Sequence, residues 1–157
     1  MKYQIRCHLI IVVCIAIVVL ASGVLFYALF RSDSAPFGSF SWWLCSLIFS
    51  DHIMTDFRQW GNQNVPGIVI NSYPNFIWCF SWVLLTCAIW EGRDNTLEKY
   101  LWILCIPICC VLWELLQYHG IVGGVGSIRD VASGIIATLL GWLAFKVTKT
   151  IFMKSEI

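Results

Sequence analysis

The sequence predicts an all-α, polytopic helical membrane protein with about four transmembrane helices and one interfacial or re-entrant helix. Three observations predict it. The 157 residues are 59% hydrophobic and only 12% charged, with a mean hydropathy of +0.79, which leaves too little charge to solvate a small globular surface. Apolar runs about as long as a helix needs to cross a hydrocarbon core recur along the chain. Lys and Arg gather on alternate connections, the pattern that orients helices across a bilayer. One membrane domain over 1–157 is expected. A net charge of +1 provides no footprint for nucleic acid, whose binding needs clustered basic residues.

The first span, 9–30, follows Lys2, Arg6 and His8, the last read as an interfacial residue, and carries no charge. Ala21, Ser22 and Gly23 could form a signal-peptide cleavage site, but the run stays apolar through Phe30, which favours an uncleaved span. After a polar turn at 31–36, the segment 37–49 (FGSFSWWLCSLIF) is too short for an ordinary span. Phe37, Phe40, Trp43, Leu44 and Leu47 recur there at helical spacing, and Trp42 and Trp43 suit the headgroup level, so an interfacial or re-entrant helix is expected. The stretch 50–73 reads as an outer loop, because Gly61, Asn62, Asn64, Pro66, Gly67 and Asn71 are turn formers. A second span is expected at 74–90, opening at Pro74 with Asn75 as its cap.

The polar connection 91–99 is short, which makes its flanking helices antiparallel neighbours. The third span, 100–117, contains Pro107 and should bend there. A glycine-rich turn at 120–126 leads into the fourth span, 131–150. With the amino terminus inside, Lys2, Arg6, Arg93, Lys99, Lys146, Lys149 and Lys154 fall on the cytoplasmic side, opposite Arg31, Arg58 and Arg129, so both termini are expected in the cytoplasm. Of the eight cysteines, Cys14, Cys79, Cys87, Cys105, Cys109 and Cys110 sit inside apolar runs and read as small buried hydrophobes. No zinc spacing is present, and neither cofactor nor metal is expected.

Chemistry concentrates where charges interrupt the third and fourth spans. Glu114 and Gln117 lie three residues apart and share a helical face. An ionisable group at that depth is a functional candidate by default. Arg129 and Asp130 open the next helix, where Asp130 meets the positive end of the helix dipole. Below them Ser133, Gly134, Ala137 and Gly141 form a small-residue seam for close helix packing, with the third span the expected partner. Two readings stand side by side. In one, Arg129 pairs with Glu114, Asp130 caps its helix and the seam only packs. In the other, the same groups form a polar pocket open to the outer leaflet, with Arg129 binding an anionic headgroup in two-pronged fashion. Asp51 and His52, with Asp56, are further binding candidates on the same outer side. A solvated loop is the plainer account of them, since adjacent residues point apart, and a divalent-cation site is the sharper one. No hydrolase elbow, zinc-protease pair, phosphate loop or dinucleotide fingerprint occurs.

The residues Glu114, Gln117, Asp130 and Gly141 resemble the motif of the VanZ-like family of small bacterial membrane proteins. That family is named for a member associated with reduced susceptibility to the glycopeptide teicoplanin. Gly134 stands where the family favours Asn and Ala137 where it favours Gly. Arg129 lies closer to Asp130 than the usual arginine, and Asp51 and His52 are spaced differently from the family's upstream pair. The resemblance covers about the last third of the chain. It implies a multispanning protein of the bacterial inner membrane.

The expected function is non-catalytic binding of an amphiphilic envelope component, a lipid-linked glycan or lipoglycopeptide, at the outer pocket. Two alternatives remain open. One is a membrane enzyme with Glu114 as acid or base on a lipid headgroup. The other is a structural subunit whose seam docks a membrane partner or a second copy of the chain.

Overall fold

In the computed structural model, the described residues are 2–30, 38–93, 96–122 and 126–154. The polar turn at 31–36, Phe37, and Gly123 and Gly124 of the glycine-rich turn lie outside them. Six α-helices and no strand occur among the described residues: α1 (Lys2–Phe30), α2 (Gly38–Ser46), α3 (Asp51–Asn64), α4 (Gly67–Ile89), α5 (Thr96–Tyr118) and α6 (Ile128–Lys154). α1, α4, α5 and α6 are long and apolar enough to cross a membrane. The protein is a polytopic helical membrane protein. Its outward faces carry exposed Ile17, Val18, Leu101, Leu112, Leu139 and Leu143, an apolar surface that hydrocarbon, not water, accommodates.

α4 is the central helix, packed most extensively on α6, then on α1, and also on α5. Val12 and Ala16 of α1, Val83, Leu84, Cys87 and Ala88 of α4, Ile103 of α5 and Phe145 of α6 form one buried cluster near one end of the bundle. At that end His8 is buried, with its Nε2 3.1 Å from the Thr148 hydroxyl and its ring against Phe145 and Phe152. His8 is therefore a packed residue joining α1 to α6. The start of α1 and the end of α6 thus share one end of the bundle. Trp82 donates its indole N–H to the Trp102 carbonyl at 2.7 Å, joining α4 to α5.

At the opposite end α2 and α3 pack on α1, where Ala28, Cys45 and Met54 are buried together. The nine residues of α2 reach about 14 Å, under half of a hydrocarbon core of about 30 Å. Ser41 and Cys45 face inward while Phe40, Trp43, Leu44 and Leu47 are exposed. The apolar stripe seen in the sequence is therefore the outward one, as a helix lying in the interface requires. Burial pushes the Cys45 thiol above its ordinary range.

Two expectations are corrected. The stretch 50–73 is not a loop: α3 occupies most of it, and α4 has already begun at Gly67. α3 holds together because Met54 and Gly61, seven residues apart on one face, are buried. Between them Arg58 donates to the Ala28 carbonyl at 3.0 Å and lies 4.3 Å from the Trp42 ring centroid. A Cβ on Gly61 would fall 2.0 Å from the Phe30 ring, so glycine here is what allows close contact and not a chain break. The second span likewise opens after Pro66, whose carbonyl accepts from Val69 and Ile70, and Pro74 lies inside it. One missing donor is tolerated there because α4 is braced by its neighbours. Asn75 is accordingly a mid-helix residue and not a cap. α5 likewise continues through Pro107.

Candidate functional site

The last turns of α5 set the first part of the site. Glu114 is buried, and Gln117, one turn on, is half-buried. The helix then stops by a regular device. Gly120 adopts a positive φ of 68°, its N–H bonds the Gln117 carbonyl, and the Ile121 N–H bonds the Leu116 carbonyl. This is the paired 5→2 and 6→1 closure of a glycine-terminated helix.

After the turn the chain returns against the helix it has left. A Cβ on Gly126 would fall 2.4 Å from the Tyr118 nitrogen and 2.5 Å from the Glu114 carbonyl oxygen, so only glycine fits between these backbones. That approach brings the Ser127 N–H to Glu114 Oε2 at 2.9 Å. The other carboxylate oxygen, Oε1, accepts from Asn75 Nδ2 at 3.1 Å. Both Glu114 oxygens are thereby engaged, one from α4 and one from the start of α6.

Ser127 opens α6. Its carbonyl accepts from Asp130 and Val131, and its hydroxyl accepts from the Arg129 N–H at 3.2 Å, the role of an N-cap serine. The stretch Ser127, Ile128, Arg129, Asp130 has the form of a capping box, in which the fourth residue's carboxylate normally returns to the N-cap N–H. Here that N–H goes to Glu114. Asp130, buried, instead accepts through Oδ1 from the Ser72 hydroxyl of α4. The expected cap is therefore corrected: Ser127 caps the helix, and Asp130 ties it to α4.

The small-residue seam is also reassigned. The Ser133 hydroxyl donates to the Ser72 carbonyl at 2.9 Å. A Cβ on Gly134 would meet Cys79, one on Gly141 would sit 3.0 Å from the Phe80 carbonyl oxygen and 3.2 Å from Val83, and Ala137 is fully buried. Every one of the partners named here lies on α4, the second span. Adjacency in sequence suggested α5, but seam geometry selects whichever helix presents its backbone most closely, and that helix is α4.

The site is thus a polar knot in which buried Glu114 and Asp130 are held by half-buried Ser72, Asn75, Ser127 and Ser133, drawn from three helices. Arg129 is exposed at its margin, and among the described residues no ion pair joins it to Glu114. Asp51 and His52 are not brought to it. They lie on α3, which packs on α1, and both are exposed. His52 Nδ1 lies 2.9 Å from Asp56 Oδ2, a pair open to solvent. Among the described residues no three His, Cys, Asp or Glu side chains converge as metal ligands.

Sequence reasoning missed Ser72, Asn75 and Ser127. Two signals could have found them: the Ser-x-x-Asp capping pattern at 127–130, and the three-residue spacing of Ser72 and Asn75, which places both on one face once Pro74 is accepted as helical. Comparison of the chain with protein-family models, with curated proteins and with solved structures returns no match.

Proposed function

We propose that the protein is a VanZ-like inner-membrane protein of the bacterial envelope, with both termini cytoplasmic, that binds an amphiphilic envelope component without chemical turnover. The ligand class is a lipid-linked glycan or lipoglycopeptide with an anionic headgroup. Its docking point is the outer margin of the α5–α6 turn, with Arg129 as the contacting cation.

One observation carries the reading. Glu114 accepts a hydrogen bond on each of its oxygens, and Asp130 is held by Ser72. The two acidic groups are thereby committed to joining helices, while Arg129 stands exposed beside them. Proton transfer requires a carboxyl group within reach of a substrate, and an engaged, buried Glu114 suits a positioning role better. An exposed guanidinium beside a fixed polar end suits recognition of a phosphate-bearing headgroup.

The test measures retention of a fluorescent lipoglycopeptide, and separately of a polyprenyl-pyrophosphate-linked glycan, by the purified protein in neutral micelles. Wild type should retain at least one of them, and Arg129→Gln should release it while the melting temperature holds. Retention of neither by wild type, or undiminished retention by the variant, overturns the proposal.

A further inference from the structure

At the other end of the bundle lies a second polar feature that the reading above does not use. A cavity of about 170 Å³ opens between the end of α4, the start of α5 and the last turns of α6. Four cations line it, Arg93, Lys99, Lys146 and Lys149, against one carboxylate, Glu91. Glu91 is spoken for by its ion pair with Lys149. Among the described residues Arg93, Lys99 and Lys146 have no carboxylate partner.

The cations are positioned by aromatic rings. Gly92 takes a φ of 76°, in the left-handed region that glycine tolerates, and the turn it makes sets the Arg93 guanidinium 5.1 Å from the Trp90 ring centroid. One helix away, Lys146 Nζ lies 5.5 Å from the Trp142 ring. Both rings line the cavity. Indoles favour the boundary between hydrocarbon and headgroups, so the cavity opens at headgroup depth. Its lining also includes Cys87 and Phe145 of the buried core.

We infer that this cavity binds the phosphate of an anionic phospholipid, with Arg93, Lys99 and Lys146 converging on the headgroup and the indoles flanking the glycerol and upper acyl chains. The chemistry recognised is a phosphate group. Its source is lipid rather than free phosphate, because the cavity pairs its cations with membrane-interface aromatics and sits at the ends of three apolar helices, α4, α5 and α6. The site lies at the end of the bundle opposite Arg129 and stands independently of the function proposed for that end.

The test uses the full-length protein in a neutral detergent with phosphatidylglycerol or phosphatidylcholine added, and reads bound lipid by native mass spectrometry. Wild type should retain phosphatidylglycerol about tenfold over phosphatidylcholine. Each cation removed should lower retention about fivefold, the worth of one Lys or Arg beside an anionic surface. Lys99→Gln with Lys146→Gln should then abolish the preference, while Arg6→Gln, an exposed cation at the same end but outside the cavity, should leave it intact. If the double variant fails to fold, Arg93→Gln on the exposed turn decides alone, with a fivefold loss expected. Equal retention of the two lipids by wild type, an undiminished preference in the variants, or binding of millimolar inorganic phosphate without any lipid preference overturns the inference.

Discussion

Asn75 donates its side-chain amide to Glu114 at 3.1 Å, joining residues 39 positions apart on α4 and α5. The bond is one half of what satisfies a buried carboxyl group; the Ser127 N–H supplies the other. Glu114→Gln keeps the shape but turns one of two acceptors into a donor facing a donor. It should destabilise the protein by about 1–3 kcal/mol, the cost of a buried polar group left without its partner. Thermal unfolding in detergent measures it. Asn75→Ala should cost less alone, and a double-mutant cycle of the two should show strong non-additivity. Additive effects would mean that the two side chains do not interact.

Gly126 and Gly67 provide a matched pair. Gly126→Ala places a methyl group against the Tyr118 and Glu114 backbones, which cannot give way without moving the end of α5. A loss of about 1–3 kcal/mol is expected, together with a weakened Ser127 to Glu114 bond. At Gly67 a Cβ meets nothing within 4 Å, so Gly67→Ala should be neutral or stabilise by about 0.4–1 kcal/mol through the unfolded chain. Equal melting temperatures for the two variants would contradict the packing at Gly126.

The α4–α6 seam predicts a size-dependent series. Ala137→Leu and Gly141→Leu should each separate α4 from α6 at a cost of about 1–3 kcal/mol or more. Gly134→Ala, meeting only the Cys79 sulfur at 3.3 Å, should be the mildest. Crosslinking between cysteines placed at Phe80 and Gly141 would report the separation directly. Efficient crosslinking of Gly141 to α5 instead would place the seam on the wrong helix.

Four spans fix which polar segments share a side. In a chain whose native cysteines have been replaced, a cysteine at Asn62 and one at Arg93 should be labelled by an impermeant maleimide from opposite faces of the membrane. Labelling of both from one face would require a different number of crossings.

The spans were legible because uninterrupted apolar runs leave few alternatives in a bilayer. What escaped was decided by contact. α3 carries Gly61, Asn62 and Asn64 and reads as a loop in isolation, yet Met54, Arg58 and Gly61 secure it to α1. Pro74 looks like a helix start because proline often is one, but a helix flanked by α1, α5 and α6 survives the missing hydrogen bond. Glu114 and Asp130 stood out as charges in an apolar context. Their partners Ser72 and Asn75 did not, since a serine or asparagine in a membrane helix acquires meaning only from what lies opposite. The four-residue repeat of Ser133, Ala137 and Gly141 showed that a helix approaches closely but carried no label for which one.

The position of α4 at the centre has a consequence for biosynthesis. Its most extensive partner, α6, leaves the ribosome after α1, α4 and α5. Until then α4, beside α1 and α5, presents Ser72 and the backbone facing the future seam without its partner. Asp130 and Ser133, the partners of Ser72, have not yet been delivered, nor has the Ser127 N–H that completes Glu114. A chain stalled ahead of residue 127 is therefore an unfinished bundle in which Ser72 and Glu114 lack these partners. Arrival of α6 closes the knot and the seam in one event.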